Sequence, residues 1–494
     1  MDEFVDKETK WVYENYDKDV TNLTAQLKSI ASNLFLPVDA VDPLESIKNN
    51  FEWFNYYHRE MFLDVNKIHL DFINFSKFLS NRNNALYGDH TIAYRLINLS
   101  KIYPQLNKND QEIAINILNL DYVILSDDSF TIMSKGYNHA VDQIFGMICY
   151  HHYVNPIDSN IYKKLTSDLK FEIDNSVDDC FIHIENTPDY HYYAMQRLTE
   201  INKVIEDPEI SLLLLKMAEY LSYIVPYDGF KLINLGDASG KYIWGDLNVP
   251  ITKRSDREQI KWFKTGYLFY SPNEVYFHCK SSKRHWNHHH YDNTSFVFWH
   301  GGENFIVDSG TYSYEHGHPN REYCQSPYAH NILCLPDKNL LLNAHNIDQY
   351  KTHTLKISEN TFKFEVKMYA DAVTQRVVTL NKNEILFQDK IIQSQSEQHD
   401  YDFAYSLIHL HKDSKISKIS DGEFLIALNL QSIKINIENP LGCEFNLIED
   451  GFYQRHMVGF HSDSFYNFCQ TPTLLLKVPK NGNSFECSYR ISWQ

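Results

Sequence analysis

Phe362-Lys-Phe-Glu-Val-Lys-Met368 alternates apolar and charged residues without a break. Successive side chains on a strand project to opposite faces, so this stretch reads as a half-buried antiparallel strand with Phe362, Phe364, Val366 and Met368 inward. Ile433, Ile435 and Ile437 alternate with Lys434, Asn436 and Glu438 in the same way. Phe296-Val-Phe-Trp, then His300-Gly-Gly-Glu-Asn, then Phe305-Ile-Val predict a hairpin across a Gly-Gly turn. Strand signals continue to the C-terminus. Upstream the period changes to that of a helix. Phe62, Val65, Ile68, Phe72, Phe75 and Leu79 form one apolar stripe, and Ile113, Ala114, Ile117 and Leu118 a second. Val141, Ile144, Phe145 and Ile148 form a third, and Leu213, Leu214, Met217 and Leu221 a fourth. The period switches within Asn234–Asp256, which predicts a helical domain over 1–240 and an antiparallel β domain over 241–494. Helices first and strands second argue for an α+β multidomain chain, a helical domain packed on a β-sandwich-like one.

The 494 residues suffice for about two cores. With 43% hydrophobic residues and only 17 Gly and 15 Pro, the chain is neither disordered nor collagenous. A net charge of −18 argues against nucleic acid as a partner and requires a locally basic site for any other polyanion. The 34 Tyr, 30 Phe and 24 His suit an enzyme that faces carbohydrate. Eight scattered cysteines without a CxxC pair read as reduced core thiols. The most apolar run, Ile210 to Val225, is broken by Lys216, Glu219 and Ser222, so no membrane-spanning helix is expected. The start, Met1-Asp-Glu-Phe-Val-Asp, has no basic region leading into an apolar stretch. As written, the chain reads as cytoplasmic; a processed form of a periplasmic or secreted protein would read the same.

The densest chemistry lies between residues 278 and 331. In His288-His-His290-Tyr-Asp292, strand geometry sends His288 and His290 to one face and His289 to the other. Asp308 ends the next predicted strand, and Tyr328-Ala-His330-Asn follows. Two imidazoles and a carboxylate are an ordinary zinc set, yet three consecutive histidines are more often solvated than ligating, so spacing alone leaves both readings open. Lys280, Lys283, Arg284 and His285 form the local basic patch that an acidic chain needs to hold a polyanion. In the helical half, Tyr137-Asn138-His139 opens the helix of Val141 and Ile148. Asn138 reads either as a simple N-cap or, with His139, as a carboxylate-binding helix start. Glu185-Asn-Thr-Pro188-Asp-Tyr190-His191-Tyr-Tyr193 reads either as aromatic packing at a helix start or as a proton-transferring Tyr with a lowered pKa.

Taken in order, these pieces resemble the heparinase II/III-like polysaccharide lyases, a group that also includes oligo-alginate lyases. Tyr137-Asn-His-Ala-Val-Asp-Gln resembles the family's Asn-His helix start. Glu185-Asn-Thr-Pro-Asp-Tyr-His resembles its Ser-Pro-x-Tyr-His segment, with Thr187 in place of Ser. Asp228-Gly229 and Leu235-Gly-Asp237 resemble its Asp-Gly and Gly-Asp signature. The β-domain signature is matched by His288-x-His290-x-Asp292-x-x-Ser-Phe296, Val307-Asp-Ser-Gly-Thr-Tyr-Ser-Tyr314 and Ala329-His330-Asn331. Gln375-Arg-Val-Val and Phe387-Gln-Asp389 fit a weaker pattern.

The resemblance implies an N-terminal incomplete (α/α) toroid followed by an antiparallel β-sandwich, and β-elimination at a uronic acid. Asn138 would hold the substrate carboxylate with His139 assisting. Tyr190 would be the general acid, and also the base where elimination is syn. His288 would be the base for the opposite epimer or a stabiliser of the charged intermediate. His290, Asp308 and His330 would bind a structural Zn2+. Substrate contacts are expected from His191 and Arg284, and from Arg321 and Tyr323. The last two stand near Gln325-Ser326-Pro327, where the family has an Arg-Ser/Thr pair. The expected partner is an anionic polysaccharide: a glycosaminoglycan such as heparan sulfate, hyaluronan or chondroitin sulfate, with alginate or a capsular polysaccharide as the alternative. A zinc-dependent glycan hydrolase and a non-catalytic capsule-assembly protein are the competing readings.

Overall fold

The computed structural model describes residues 89–106, 108–126, 138–156, 159–185, 187–227, 231–240, 247, 249–283, 288–314, 317–336, 350–394, 401–438 and 442–494. The stripe Phe62–Leu79, Tyr137, Asp228-Gly229 and Arg284 with His285 lie outside the described residues. The chain divides into two compact units, 1–177 with 197–211 and 178–196 with 212–494. Residues 178–196 and 212–240, helical by sequence period, thus share a unit with the strands.

Among the described residues, the first unit holds the helices Asp89–Ile102, Lys108–Leu125, Asn138–Tyr153 and Ser159–Asn175. The expected stripe of Val141, Ile144, Phe145 and Ile148 is buried, as are Ala114 and Leu118. Gly146 sets how closely Asn138–Tyr153 approaches Asp89–Ile102, because a Cβ there would lie 3.1 Å from the Ala93 carbonyl oxygen. A buried ion pair ties two of these helices, with Arg95 Nε donating to Asp121 Oδ2 at 2.7 Å.

In the second unit, Thr187 starts the helix Pro188–Ile205: its hydroxyl accepts from the Asp189 N–H at 3.1 Å, and Pro188 fits the first turn, where no N–H is needed. The strands form three main antiparallel sheets. Ile260–Phe263, Tyr267–Tyr270, Val275–Lys280, Phe296–His300 and Glu303–Ile306 lie side by side in chain order. The second sheet runs Lys415–Ser420, Glu423–Leu428, Gln431–Glu438, Ser484–Trp493, Glu384–Gln393, Ala372–Asn381, Thr361–Val366, Thr352–Lys356. The third runs Glu444–Ile448, Thr473–Pro479, Phe403–His409, Leu333–Cys334. All three line one apolar core that includes Phe277, Phe296, Leu333, Phe364, Phe387, Leu407 and Ile435.

The sequence alternation is realised: Phe362, Phe364 and Val366 are buried, as are Ile433, Ile435 and Ile437. The expected hairpin forms, with Gly301 and Gly302 both at positive φ between its strands. All eight cysteines are free. Among the described residues no helix is long and apolar enough to cross a membrane.

Candidate active site

Asp237 is the centre of the site in the second unit. Its loop is held from two sides: the Gly236 N–H donates to Asp308 Oδ1 at 2.9 Å, and Ser239 donates from its backbone N–H and hydroxyl to Asp189 Oδ2 at 2.9 and 3.0 Å. The Asp237 carboxylate accepts from His288 Nδ1 at 2.8 Å, from His290 Nε2 at 3.3 Å and from both terminal nitrogens of Arg321, with Nη2 at 2.9 Å. Burial alone would raise its pKa. The Arg321 charge and the imidazole hydrogen bonds outweigh that and hold the carboxyl well below the usual range.

Arg321 is brought to this point by the short helix Pro319–Gln325, whose N-terminus is capped by the His318 side chain. It also donates to Thr311 Oγ1 at 3.0 Å. With its fork on Asp237 and only 7% of its surface exposed, Arg321 serves the internal ion pair rather than an open substrate patch.

His288 lies face-on over Tyr190, ring centroids 3.8 Å apart, and edge-on to Tyr314 at 5.3 Å. Its Nδ1–H is committed to Asp237, so in the neutral ring Nε2 carries the lone pair; that atom stands 3.5 Å from Glu185 Oε2. His288 is not on a strand, as the sequence period predicts, but in a loop with φ +51°. The pairing of His288 with His290 survives because both turn to Asp237, while His289 packs against Tyr291 and Tyr350. Tyr190 is buried, and burial first, then Tyr314 and the Glu185 carboxylate, push its phenol well above the usual value. The expectation of a lowered pKa is thereby reversed: Tyr190 is a proton holder.

Several expected contacts are used up inside the fold. His191 is fully buried, its Nδ1 accepting from the His183 N–H at 3.1 Å and its Nε2 donating to the Met217 carbonyl at 3.0 Å. The Tyr323 hydroxyl accepts from the Gly459 and Phe460 N–H groups at 3.1 and 3.0 Å. Lys280 is buried against Asp292 at 2.6 Å and is no part of a surface basic patch. Asn138 and His139 head the helix Asn138–Tyr153 in the first unit. Glu185, Asp237 and Tyr314 sit inside the quoted motifs, but their roles were not assigned from sequence. The signal for Asp237 was its Gly-Asp pair, with the glycine N–H turned to Asp308.

The expected metal ligands adjoin one another. The rings of His290 and His330 have centroids 5.3 Å apart, and His290 Nδ1 and His330 Nε2 are buried without a hydrogen-bond partner. Two imidazoles sharing one zinc, each nitrogen about 2.0–2.1 Å from it, place their centroids roughly 5 Å apart, a spacing this pair matches. Asp308 stands differently. Its oxygens accept from Gly236 N–H, from His330 Nδ1–H at 2.8 Å and from the Ser295 hydroxyl at 3.4 Å. The Asp308 carboxylate is thus a hydrogen-bond acceptor that orients the His330 ring. Among the described residues no set of three His, Cys, Asp or Glu is arranged to hold a metal ion.

Comparison with known proteins agrees with this architecture. A structure of heparinase III superposes with a TM-score of 0.67 at 15% identity, covering 93% of this chain and 79% of that one. The heparan sulfate lyase HepC from Pedobacter heparinus superposes with a TM-score of 0.60 at 14% identity, covering 99% and 87%. At such identity the likeness is one of fold. None of the curated proteins matches the chain in sequence. Residues 256–457 match the family model described as Heparinase II/III-like, C-terminal. That span contains His288, His290, Asp308, Arg321 and His330, and over it the chain is similar to the C-terminal domain of that family.

Proposed function

We propose that this protein is a polysaccharide lyase that cleaves uronate-containing polysaccharides, glycosaminoglycans foremost, by β-elimination. The observation that carries the reading is the stacked pair of a buried, proton-holding Tyr190 and a His288 whose Nδ1–H is anchored on Asp237. In β-elimination the C5 proton leaves to a base, its electron pair forms the C4=C5 bond, and the C4–O bond breaks as an acid protonates the leaving oxygen. His288 Nε2 takes the C5 proton, and the Tyr190 hydroxyl supplies the other. With its pKa raised, the Tyr190 phenol rests protonated, the form from which a general acid starts and a base does not. The roles that the resemblance implies for Asn138 and His139, neutralising the uronate carboxylate, belong to the same proposal, as does the toroid-plus-sandwich architecture of the lyases.

Zinc is part of the proposal in a structural role. It is supported by the two unpartnered imidazole nitrogens of His290 and His330, with Asp308 orienting the His330 ring. Such an ion would hold the two loops together and supplies no step of the elimination.

The test is a panel of heparan sulfate, hyaluronan, chondroitin sulfate and alginate, followed by ultraviolet absorbance of the new double bond and by product mass. Unsaturated oligosaccharides from at least one polymer are expected. New reducing ends without unsaturation would move the reading to a hydrolase, and no product from any polymer would remove the catalytic reading.

A further inference from the structure

Arg376 lies on the strand Ala372–Asn381 of the large sheet, directly opposite Asp389 on Glu384–Gln393. Both side chains are 1% exposed. The guanidinium forks onto the Asp389 carboxylate, Nε to Oδ1 at 2.7 Å and Nη2 to Oδ2 at 2.6 Å, and Nη2 also donates to the Tyr489 hydroxyl at 2.8 Å. Phe296, Phe387 and Tyr489 surround it, the nearest ring centroid 5.0 Å from the guanidinium carbon. An arginine needed only to balance Asp389 would stop there. Instead Nη1 spends its two N–H groups on two loop carbonyls, Thr294 O and Asn331 O, the latter at 2.8 Å. All five donors of the side chain are thus in use.

The two carbonyls belong to the loops that carry the site. Thr294 follows His288 and His290, and Asn331 follows His330. Thr294 is a buried, β-branched residue at φ +74°, a backbone conformation that persists only where its surroundings impose it. Its N–H is held by the Lys280 carbonyl at 2.7 Å, and its C=O by Arg376. Asn331 extends the same clamp. Its amide nitrogen donates to the carbonyls of Phe296 and Val307 at 2.7 and 2.8 Å, and its N–H to the Ser295 hydroxyl at 3.0 Å. The segments of His290 and His330 therefore meet at one buried cation, and the segment of Asp308 joins them through the Asn331 side chain.

We propose that Arg376 is a positioning residue of the site: through Thr294 and Asn331 it sets the spacing of the histidine loops, in addition to pairing with Asp389. The catalytic consequence rests on the lyase reading given above; the positional one does not.

Two variants test it. In Arg376→Lys a point charge can pair with Asp389 but cannot also reach both carbonyls. In the double variant Arg376→Met with Asp389→Leu the buried pair is replaced by apolar side chains, an exchange that folds tolerate well. Each is measured by thermal melting, by hydrogen–deuterium exchange along the chain and by steady-state kinetics on a polymer the wild type cleaves. The expected result for the double variant is a cooperative melt, with exchange rising in residues 288–295 and 329–333 and unchanged in the strands of the large sheet. kcat is expected to fall about 10–100-fold with KM little altered, the usual cost of losing a supporting contact behind a site. Arg376→Lys is expected to show the same local pattern.

Unchanged exchange in both loops overturns the proposal, as does a double variant that does not fold. Full rescue by Arg376→Lys overturns it too, since any charge would then serve. If the wild type cleaves no polymer, the lyase reading fails by itself, while the exchange measurement still decides whether Arg376 holds the loops.

Discussion

The imidazole of His288 lies over the phenol of Tyr190 with 3.8 Å between ring centroids and 28° between planes. Base and acid of an elimination must address neighbouring atoms of one sugar, and this stacking fixes them side by side. Tyr190→Phe keeps the stacked ring and removes the hydroxyl, and with it the proton it would donate. kcat should fall by roughly 10²–10⁴-fold, the usual weight of a positioned acid. The melting temperature should stay close to wild type. Retention of near-normal turnover on a proven substrate would remove Tyr190 from the mechanism.

Asp237 holds His288, His290 and Arg321 at once. In Asp237→Asn the amide leaves Arg321 buried without its counter-charge and keeps one acceptor oxygen for donors of His288, His290 and Arg321 that now use two. Breaking one side of a buried pair costs about 3–5 kcal/mol, so chemical denaturation should show a loss of that order. Activity, assayed well below the lowered midpoint, should drop by roughly a hundredfold or more. A variant as stable and as active as the wild type would show that the carboxylate is dispensable.

Buried histidines, His191 and His278 among them, set an acid limit on stability. Burial pushes His191 down from 6.5 to about 4 and His278 down from 6.5 to about 3. As pH falls below 6.5 the unfolded chain binds protons at these rings while the folded chain does not, so the unfolded state gains. Their contribution is fully present above 6.5 and is lost progressively through the window down to about 4 for His191 and about 3 for His278. Denaturation midpoints measured across that window should fall with pH. In His278→Phe, which keeps the stacking on Phe269 at 4.2 Å, the slope should be shallower; an identical slope would exclude His278 as a contributor.

Gly310 follows Asp308 and Ser309 at φ +66°, and a Cβ there would lie 2.1 Å from the Ser462 carbonyl oxygen. Gly310→Ala must therefore move backbone as well as adopt a disfavoured conformation. A loss of about 1–3 kcal/mol is expected in denaturant titrations. A neutral substitution would mean that this loop shifts freely.

The period switch was readable because burial on one face of a strand leaves a two-residue alternation in the chain itself. Phe362, Phe364 and Val366 need no partner to be recognised. The hairpin around Gly301-Gly302 was readable for the same local reason. The grouping of 178–196 with the strands was not, since a helical period records which face is buried and not against what. His288 and His290 were paired from a strand geometry that the loop does not have. What keeps them together is Asp237, some fifty positions upstream.

By itself, then, the sequence determined the kinds of element, the order of helical and sheet regions, and the motif set in which Tyr190, His288, His290, Asp308 and His330 stand. Tertiary structure alone decided what each side chain faces. It turned His191, Lys280 and Tyr323 inward, set Asp308 behind His330, raised the Tyr190 phenol by burial, and made Asp237 and Arg376 the points where separate loops meet. Local patterns follow from neighbours along the chain. Hydrogen-bond partners and desolvation follow from neighbours in space, which residue order does not specify.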